Sequence, residues 1–444
     1  MKILTLRKLI IFSLILGLTL VMVFIYLSTR HPVFKNRTDL PTAEATLRET
    51  DTGKIIGALE DNGSHVWLGI PYAKPPIKEL RWKRPQKVDP WTGTRKAVSN
   101  GPICPQIGGP VGGVPESSFG KPIGEEDCLY LNIWSPPLQD KNPNKLPVMV
   151  WIHGGGNSIG HGGNYIGKDL AVKQQVVVVT FNYRLGPMGF FYHKALADPS
   201  NTAANNPANF AYLDIIEVLG WVRRNIENFG GDPGNVTIFG ESAGGNNTVA
   251  LLQSPLAKGL FHKAISQSAI FSTASLNQAS NLMTSSFSGS EHSSSEIICR
   301  LLIKDGLAEN RENAIKVLNN FSLLELRNYL YNKGSHELIE VYEKWAGGML
   351  KMPGIIRDGV TLPLDLTGEH FHHTPVILGT NRDEFKLFLT QDTRFVNIYF
   401  GLYRTIKDPQ AYEIYAGYHS KAWKARGVDN MAKDIVKSGN QEVY

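Results

Sequence analysis

The chain has 444 residues, 42% of them hydrophobic and 19% charged, a balance typical of a globular protein with a large core. Its formal net charge is +6, and residues 1–37 hold six basic residues and no acidic one. The rest of the chain is therefore neutral. That argues against a nucleic-acid-binding protein, because such a domain carries a basic surface.

The basic N-terminus surrounds an apolar segment at residues 9–27. These nineteen residues carry no charge and are long enough to cross the hydrocarbon core of a bilayer as a helix. Arg7 and Lys8 precede the segment, which predicts that residues 1–8 stay in the cytoplasm. We interpret residues 9–27 as a transmembrane signal anchor and the membrane as a partner of the protein.

A cleaved signal peptide, which would give a secreted protein, is the alternative to this anchor. The apolar run is longer than a usual signal core, and the residues after it lack a clear cleavage site. Residues 28–42 are predicted to be a polar tether. Residues 43–444 are predicted to form one large domain on the non-cytoplasmic side, periplasmic or extracellular.

The three cysteines fit an exported domain. Cys104 and Cys128 flank a loop rich in Gly and Pro, and a disulfide could close it in an oxidising compartment. The sequence does not fix the pairing, although proximity in the chain favours these two. Cys299 lies in "EIICRLL" and is predicted to be a buried helical thiol.

From about residue 43, short extended segments give way to strands that alternate with helices. We predict a helix over residues 210–231 that ends at a Gly-Gly pair, another helix after Ser242, and a solvated loop at the serine-rich residues 285–295. Strands are predicted at residues 146–156, 174–184 and 235–240, and within residues 262–270 and 374–382. This order predicts an α/β fold with a mostly parallel sheet and helices on both of its faces.

Two glycine motifs follow predicted strands. "GESAG" places Ser242 between a strand and a helix, which is the setting of a nucleophilic serine on a sharp turn. "HGGG", residues 153–156, leaves backbone N–H groups unobstructed, and such donors stabilise the oxyanion of an acyl-transfer intermediate. The N–H of Ala243 would complete that oxyanion site.

Several segments resemble the type-B carboxylesterase and cholinesterase family of α/β-hydrolases: "LGIPYAKPP", "LRWKRP", "EEDCLYLNIW", "VWIHGGG", "FNYRLGPMGFF", "WVRRNIENFGGDPGNVTIFGESAGG" and "VILGTNRDE". They follow the family's order over about residues 45–390. The resemblance implies an α/β-hydrolase fold and a serine carboxylesterase. The enzyme would hydrolyse small-molecule carboxylic esters through a Ser-Glu-His triad and an acyl-enzyme, without cofactor or metal.

The resemblance also implies roles for single residues. Ser242 matches the nucleophile, and Glu384 matches the acid of the triad. Gly155, Gly156 and Ala243 match the family's oxyanion donors. Cys104 and Cys128 match its first disulfide. Its structural ion pairs are matched by Arg81 with Glu126 and by Arg184 with Asp214. The family usually has glycine after its acid, whereas this chain has Phe385, which would be strained if the site requires a positive φ.

The histidine of the triad has no match. The family's histidine follows its acid in a later loop, but after Glu384 the chain contains only His419, in a segment predicted to be a surface helix. We therefore expect that the base and the C-terminal part of the domain are missing from this chain, and that the chain alone is nearly inactive. The final "NQEVY" is typical of the start of a further strand.

The function within the family is also constrained. Where cholinesterases carry a tryptophan that binds choline, this chain has Ser118 and Phe119, which favours a general carboxylesterase. A catalytically inactive binding or adhesion protein, or an inactive gene fragment, is the alternative. The natural ester and the oligomeric state are left open by the sequence.

Overall fold

The computed structural model describes residues 37–137, 145–197, 206–366, 370–399 and 403–444, together with Gly17, Thr19 and Val21. The chain divides into two units, residues 1–36 and 37–444. The three described residues of the first unit are helical, and the remainder of the predicted anchor at 9–27 lies outside the described residues. In the part of the chain that is described, no helix has the length and apolar character needed to cross a membrane.

In the described part of the second unit, the main sheet has eight strands in the order β15-β12-β11-β9-β10-β8-β4-β3. The five from β15 to β10 are parallel, and β8, β4 and β3 continue the sheet in antiparallel pairs. Their bounds are β3 Ala58–Leu59, β4 His65–Pro71, β8 Tyr130–Ser135, β9 Leu146–Ile152, β10 Val177–Phe181, β11 Gly231–Glu241, β12 Lys263–Gln267 and β15 Val376–Gly379.

Smaller sheets and the helices surround this sheet. The other strands are β1 Arg48–Thr50, β2 Gly53–Ile56, β5 Thr94–Lys96, β6 Gln106–Ile107, β7 Pro122–Ile123, β13 Thr273–Ser275, β14 Ile355–Arg357, β16 Val396–Tyr399 and β17 Tyr403–Ile406. The α-helices are α1 Lys168–Gln174, α2 Gly186–Gly189, α3 Phe210–Asn225, α4 Ala243–Leu251, α5 Leu276–Ser280, α6 Ser294–Lys304, α7 Arg311–Asn320, α8 Leu323–Tyr331, α9 Ser335–Glu340, α10 Lys386–Leu389, α11 Pro409–Lys424 and α12 Asn430–Lys437. A π-helical turn, Ala425–Asp429, joins the last two helices.

The centre of the sheet follows the predicted pattern. All five residues of β10 are buried, because helices cover both faces of a parallel sheet.

Two helix ends differ slightly from the predicted bounds. Helix α3 ends at Asn225, and a short 3₁₀ turn then stops at Gly230, whose φ of 84° requires a glycine. The predicted loop at 285–295 ends earlier than expected, because the Ser293 side chain accepts a hydrogen bond from the N–H of Glu296 and starts α6.

Three predicted covalent and ionic contacts are confirmed. Cys104 and Cys128 form a disulfide that closes a separation of 24 residues, and Cys299 is free and buried. A closed loop of this size stabilises a fold by about 3 kcal/mol. The Arg81–Glu126 and Arg184–Asp214 pairs are also present.

The two ends of the second unit pair with the sheet. Arg37, placed in the tether by the sequence, forms an ion pair with Glu60, so the folded unit begins before residue 43. At the other end, the backbone N–H groups of Val376 and Leu378 donate to the carbonyls of Glu442 and Tyr444 at 2.8 and 2.9 Å. The final residues therefore pair with β15, as their sequence predicts.

Candidate active site

Ser242 occupies a strained turn between β11 and α4. Its φ and ψ are 56° and −118°, in a region that residues other than glycine rarely adopt. The backbone N–H of Ser242 donates to the carbonyl of Gln267, at the end of β12, at 2.9 Å. Strain of this kind persists only where the surroundings hold it, and it makes Ser242 a candidate functional residue.

Two glycines make the turn possible. A Cβ at Gly244 would lie 1.9 Å from the carbonyl oxygen of Ile152, and one at Gly240 would lie 2.5 Å from the carbonyl carbon of Gly244. Any larger residue at either position would force β11, β9 and α4 apart. The small residues of the Gly-x-Ser-x-Gly motif are thus explained by packing.

The "HGGG" loop lies directly beside Ser242. Strand β9 pairs in parallel with β11, and Ile152 is in register with Gly240, so the residues after both strands meet at one edge of the sheet. A Cβ at Gly154 would lie 3.3 Å from the Cβ of Ser242. The sequence prediction that these two motifs share one site agrees with this geometry.

The loop presents backbone donors. Gly155 and Gly156 have φ values of 100° and 62°, which side chains rarely adopt. The carbonyl of Gly155 accepts hydrogen bonds from the N–H groups of Ser158 and Ile159 at 3.1 and 3.0 Å. In a trans peptide the C=O and the N–H of the next residue point in opposite directions. The N–H of Gly156 therefore points away from Ser158 and Ile159.

The N–H groups of Gly155, Gly156 and Ala243 have no acceptor among the described residues. Ala243 is the first residue of α4, where an N–H has no partner within the helix and the helix dipole favours negative charge. Three donors are therefore available beside one serine.

A buried amide pair joins the loop to α4. Asn157 Nδ2 donates to Asn247 Oδ1 at 3.1 Å, and Asn247 Nδ2 donates back to Asn157 Oδ1 at 2.9 Å. The hydroxyls of Tyr183 and Tyr212 donate to the same two amide oxygens. This network was not predicted, because the sequence does not distinguish these two asparagines from exposed ones.

His153 belongs to this buried region. Its ring stacks on Tyr183 with centroids 4.3 Å apart, and its Nδ1 lies 2.9 Å from the carbonyl of Gly154. Burial lowers the pKa of His153 to about 3, so the ring is neutral at physiological pH. Its imidazole supports the loop.

Glu384 follows β15 and is held by its own loop. Its Oε1 accepts hydrogen bonds from the Thr380 hydroxyl at 2.8 Å and from the Asn381 N–H at 2.7 Å. Burial raises the pKa of Glu384, but hydrogen bonds from Ser268, Asn381 and Thr380 outweigh burial and bring it below its ordinary value. Glu384 is therefore an ionised carboxylate at neutral pH.

Phe385 does not strain this loop. Its φ and ψ are −75° and −16°, in the right-handed region, and it precedes α10. The strain considered for this position is absent, because the backbone here begins a helical turn.

Glu384 and Ser242 belong to the same edge of the sheet. An opening of about 520 Å³ is lined by Glu384 and by Glu241, the residue before Ser242. Partial burial and then the charge of Glu384 raise the pKa of Glu241, which places the two carboxylates near each other.

Neither His153 nor His419 is hydrogen-bonded to Ser242 or Glu384 among the described residues. His419 lies on α11, as predicted, and its ring packs between Phe385 and Tyr415 with centroids 4.5 and 4.3 Å away. A serine, three backbone donors and an ionised carboxylate thus lie at the same edge of the sheet.

One group of side chains has the spacing of a cation site. Ligand atoms of Glu291, His292 and Glu343 lie within 4.8 Å of one another. Glu343 already forms an ion pair with Lys351 and a hydrogen bond with His292, and Arg300 lies 4.0 Å from Glu291. Because exposed acidic groups of this kind are common without a metal, we assign this cluster no function.

Comparisons with known proteins agree with the geometry. The model of the carboxylesterase family matches residues 44–440. Para-nitrobenzyl esterase of Bacillus subtilis (strain 168) is 37% identical over 350 residues, which are 78% of this chain and 64% of that protein. Carboxylesterase 1D of Rattus norvegicus is 40% identical over 355 residues, 76% of this chain and 58% of that protein. The chain thus spans less than two thirds of the length of these two relatives.

Solved structures give the same result. A structure of a PNB esterase superposes with a TM-score of 0.65 at 30% identity and covers 89% of this chain and 77% of its own. A carboxylesterase of Geobacillus stearothermophilus superposes with a TM-score of 0.68 at 29% identity, covering 90% of this chain and 78% of its own. The fold is that of the α/β-hydrolases.

Proposed function

Since the chain belongs to the carboxylesterase family, we propose that it is a hydrolase of small carboxylic esters that forms an acyl-enzyme on Ser242. The observation that supports this most directly is the strained turn of Ser242, beside a glycine loop that offers unpaired N–H donors. A strained serine without donors would lack a means of stabilising the reaction.

In the proposed reaction, Ser242 Oγ attacks the ester carbonyl carbon and passes its proton to a base. The carbonyl oxygen becomes an oxyanion that accepts hydrogen bonds from the N–H groups of Gly155, Gly156 and Ala243, each worth roughly 3 kcal/mol in the transition state. The protonated base then gives its proton to the alkoxide, so that collapse of this intermediate releases the alcohol and leaves an acyl group on Ser242. Water passes a proton to the base as it attacks the acyl carbonyl, and the base returns that proton to Ser242 Oγ as the carboxylic acid leaves.

Glu384 is proposed to orient and stabilise the protonated base, as the acid of a serine triad does. We propose that neither His153 nor His419 is that base, because the Nδ1 of His153 is hydrogen-bonded to the Gly154 carbonyl and the ring of His419 stacks on Phe385. The 444-residue chain alone is therefore expected to turn over esters slowly.

Hydrolysis of 4-nitrophenyl acetate, with and without added imidazole, tests this proposal. Free imidazole can supply the missing base, so the rate should rise with imidazole above the rate of a Ser242→Ala blank. The alternative of an inactive binding protein predicts equal rates for the two chains at every imidazole concentration.

The amide pair is expected to position the oxyanion donors. Asn247→Leu keeps the side-chain size but leaves the buried Asn157 amide without its partner, a loss of roughly 1–3 kcal/mol. We expect phosphonylation of Ser242 by a fluorophosphonate, measured with imidazole as the added base, to slow at least tenfold. Asn246→Leu is the matched control, since Asn246 is on the same helix and its side-chain oxygen has no hydrogen-bond partner. Equal slowing in both variants would contradict a role specific to the pair.

We also propose that residues 9–27 anchor the protein, with the hydrolase domain on the non-cytoplasmic side. The uncharged run and the basic residues before it support this. Membranes washed with alkaline carbonate should retain the protein. A mature chain that begins after Ser28 would favour a cleaved signal peptide and a secreted protein.

A further inference from the structure

A second cavity, of about 240 Å³, lies between residues 82–86 and the segment around His193. Trp82, Phe191 and Phe210 line it and are 3%, 2% and 4% exposed. The rings of Trp82 and Phe191 stack with centroids 5.6 Å apart. Because drug-sized ligands need roughly 300–1,000 Å³, this apolar space suits a smaller molecule.

The polar residues that are described in the lining of this cavity give it a positive charge. Among its described lining residues, Lys83, Arg84 and Arg327 are basic and none is acidic. None of the three forms an ion pair with a described carboxylate, and the Arg327 guanidinium donates to the carbonyls of Leu196 and Ala197 at 3.3 and 3.2 Å. Cations beside an apolar wall attract an anion more strongly than the same cations on an open surface.

Two further features show that the cavity is built into the fold. Trp82 has a φ of 51°, an outlier for a bulky residue, and its indole N–H donates to the carbonyl of Pro187 at 2.8 Å. His193 Nδ1 accepts a hydrogen bond from the N–H of Ala195 at 3.1 Å. Burial and then the charge of Lys194 lower the pKa of His193 to about 4, so the ring is neutral at physiological pH and its Nε2 carries a proton to donate.

We propose that this cavity binds a small carboxylate with an apolar body, such as an aromatic or short-chain carboxylic acid, at a site separate from Ser242. The ring or acyl chain packs against Trp82, Phe191 and Phe210. The carboxylate lies toward Lys83 and Arg84, where water and the two cations solvate it. A bare anion would leave the aromatic wall uncovered, and a neutral ring would leave the cations unpaired.

Calorimetric titration of the full chain with benzoate tests the proposal. One site is expected, weakened by salt because exposed cations contribute. The double variant Lys83→Gln/Arg84→Gln, whose exposed side chains can change without unfolding the protein, should lower benzoate affinity at least about tenfold. Arg223→Gln, an exposed basic residue of α3 outside the cavity, is the matched control and should bind like the parent chain.

Benzyl alcohol and inorganic phosphate test separately the contact with the cations and the contact with the aromatic wall. Each should bind at least about tenfold more weakly than benzoate, because each lacks one of the two contacts. Benzoate affinity that is unchanged in the double variant would place the binding elsewhere, including beside Ser242, and overturn the proposal. Absence of benzoate binding, or equal binding of benzyl alcohol, would also overturn it.

Discussion

Replacing Ser242 by alanine is expected to remove covalent labelling by a fluorophosphonate and all imidazole-stimulated ester hydrolysis. Loss of the nucleophile costs about 10⁶ in kcat in a serine hydrolase with every catalytic group in place. In this chain, the rate should fall to that of buffer with imidazole, because Ser242 is the residue that we propose forms the acyl-enzyme. Mass spectrometry of the labelled peptide and initial rates with 4-nitrophenyl acetate measure the two effects.

Ser254→Ala is a suitable control for that experiment. Ser254 is a buried serine that follows α4, and its hydroxyl has no hydrogen-bond partner. Its removal tests whether the loss of a buried hydroxyl alone changes labelling. The assignment of Ser242 would be wrong if the Ser242→Ala chain were still labelled at the parent rate.

The nucleophile turn was predictable because its cause is local. A strand, a Gly-x-Ser-x-Gly turn and a helix are contiguous in the chain, and only small residues fit where Gly240 and Gly244 contact neighbouring backbone. The same holds for the glycine loop after β9. Register between two parallel strands then brought both motifs to one edge of the sheet.

The Asn157–Asn247 pair was not predictable in this way. The two residues are 90 positions apart, and their contact follows from the packing of α4 against the loop. A single polar side chain has no periodic pattern, so neither asparagine differs in sequence from an exposed one. The hydrogen bond from Ser268 to Glu384 was hidden for a similar reason, since Ser268 follows β12 and is far from Glu384 in the chain.

In the sequence, the antiparallel strands of the main sheet could be predicted only as extended segments, without their pairing. Strands β3, β4 and β8 precede the alternation of strands and helices. The pairing of β3 with β4 follows from the short Asn62-Gly63 turn between them, whereas β4 pairs with β8 across a long stretch of chain without a shared turn. The family's glycine after the triad acid suggested backbone strain at Phe385, but Phe385 has a right-handed, unstrained backbone. Backbone conformation at one position depends on the next helix as well as on the residue type.

The largest effect on stability is expected at Asp214. Its carboxylate is fully buried and accepts two hydrogen bonds from the Arg184 side chain, at 2.8 and 2.7 Å, and one from the Arg184 N–H at 3.0 Å. Arg184 is 2% exposed, and its Nη1 has no hydrogen-bond partner. The pair fixes helix α3 against the segment that follows β10.

Asp214→Ala would leave the Arg184 guanidinium buried without a counter-charge. Removal of one partner from a buried ion pair typically costs 3–5 kcal/mol, because the remaining charge loses both water and its partner. Asp214→Asn keeps the shape but loses the charge, so we expect a smaller loss than for alanine. Urea unfolding measures the loss of unfolding free energy in both variants, which is the shift of the urea midpoint multiplied by the slope m of the transition.

Glu227→Ala is the matched control for this buried pair. Glu227 forms an ion pair with Lys145 in which both side chains are about half exposed, at 53% and 50%. Exposed pairs contribute about 0–1 kcal/mol, since water already solvates both charges. If the midpoint of the Asp214→Ala chain moved no further than that of Glu227→Ala, the Arg184–Asp214 contact would not be a main support of the fold, and α3 would have to be held to the sheet by its apolar face alone.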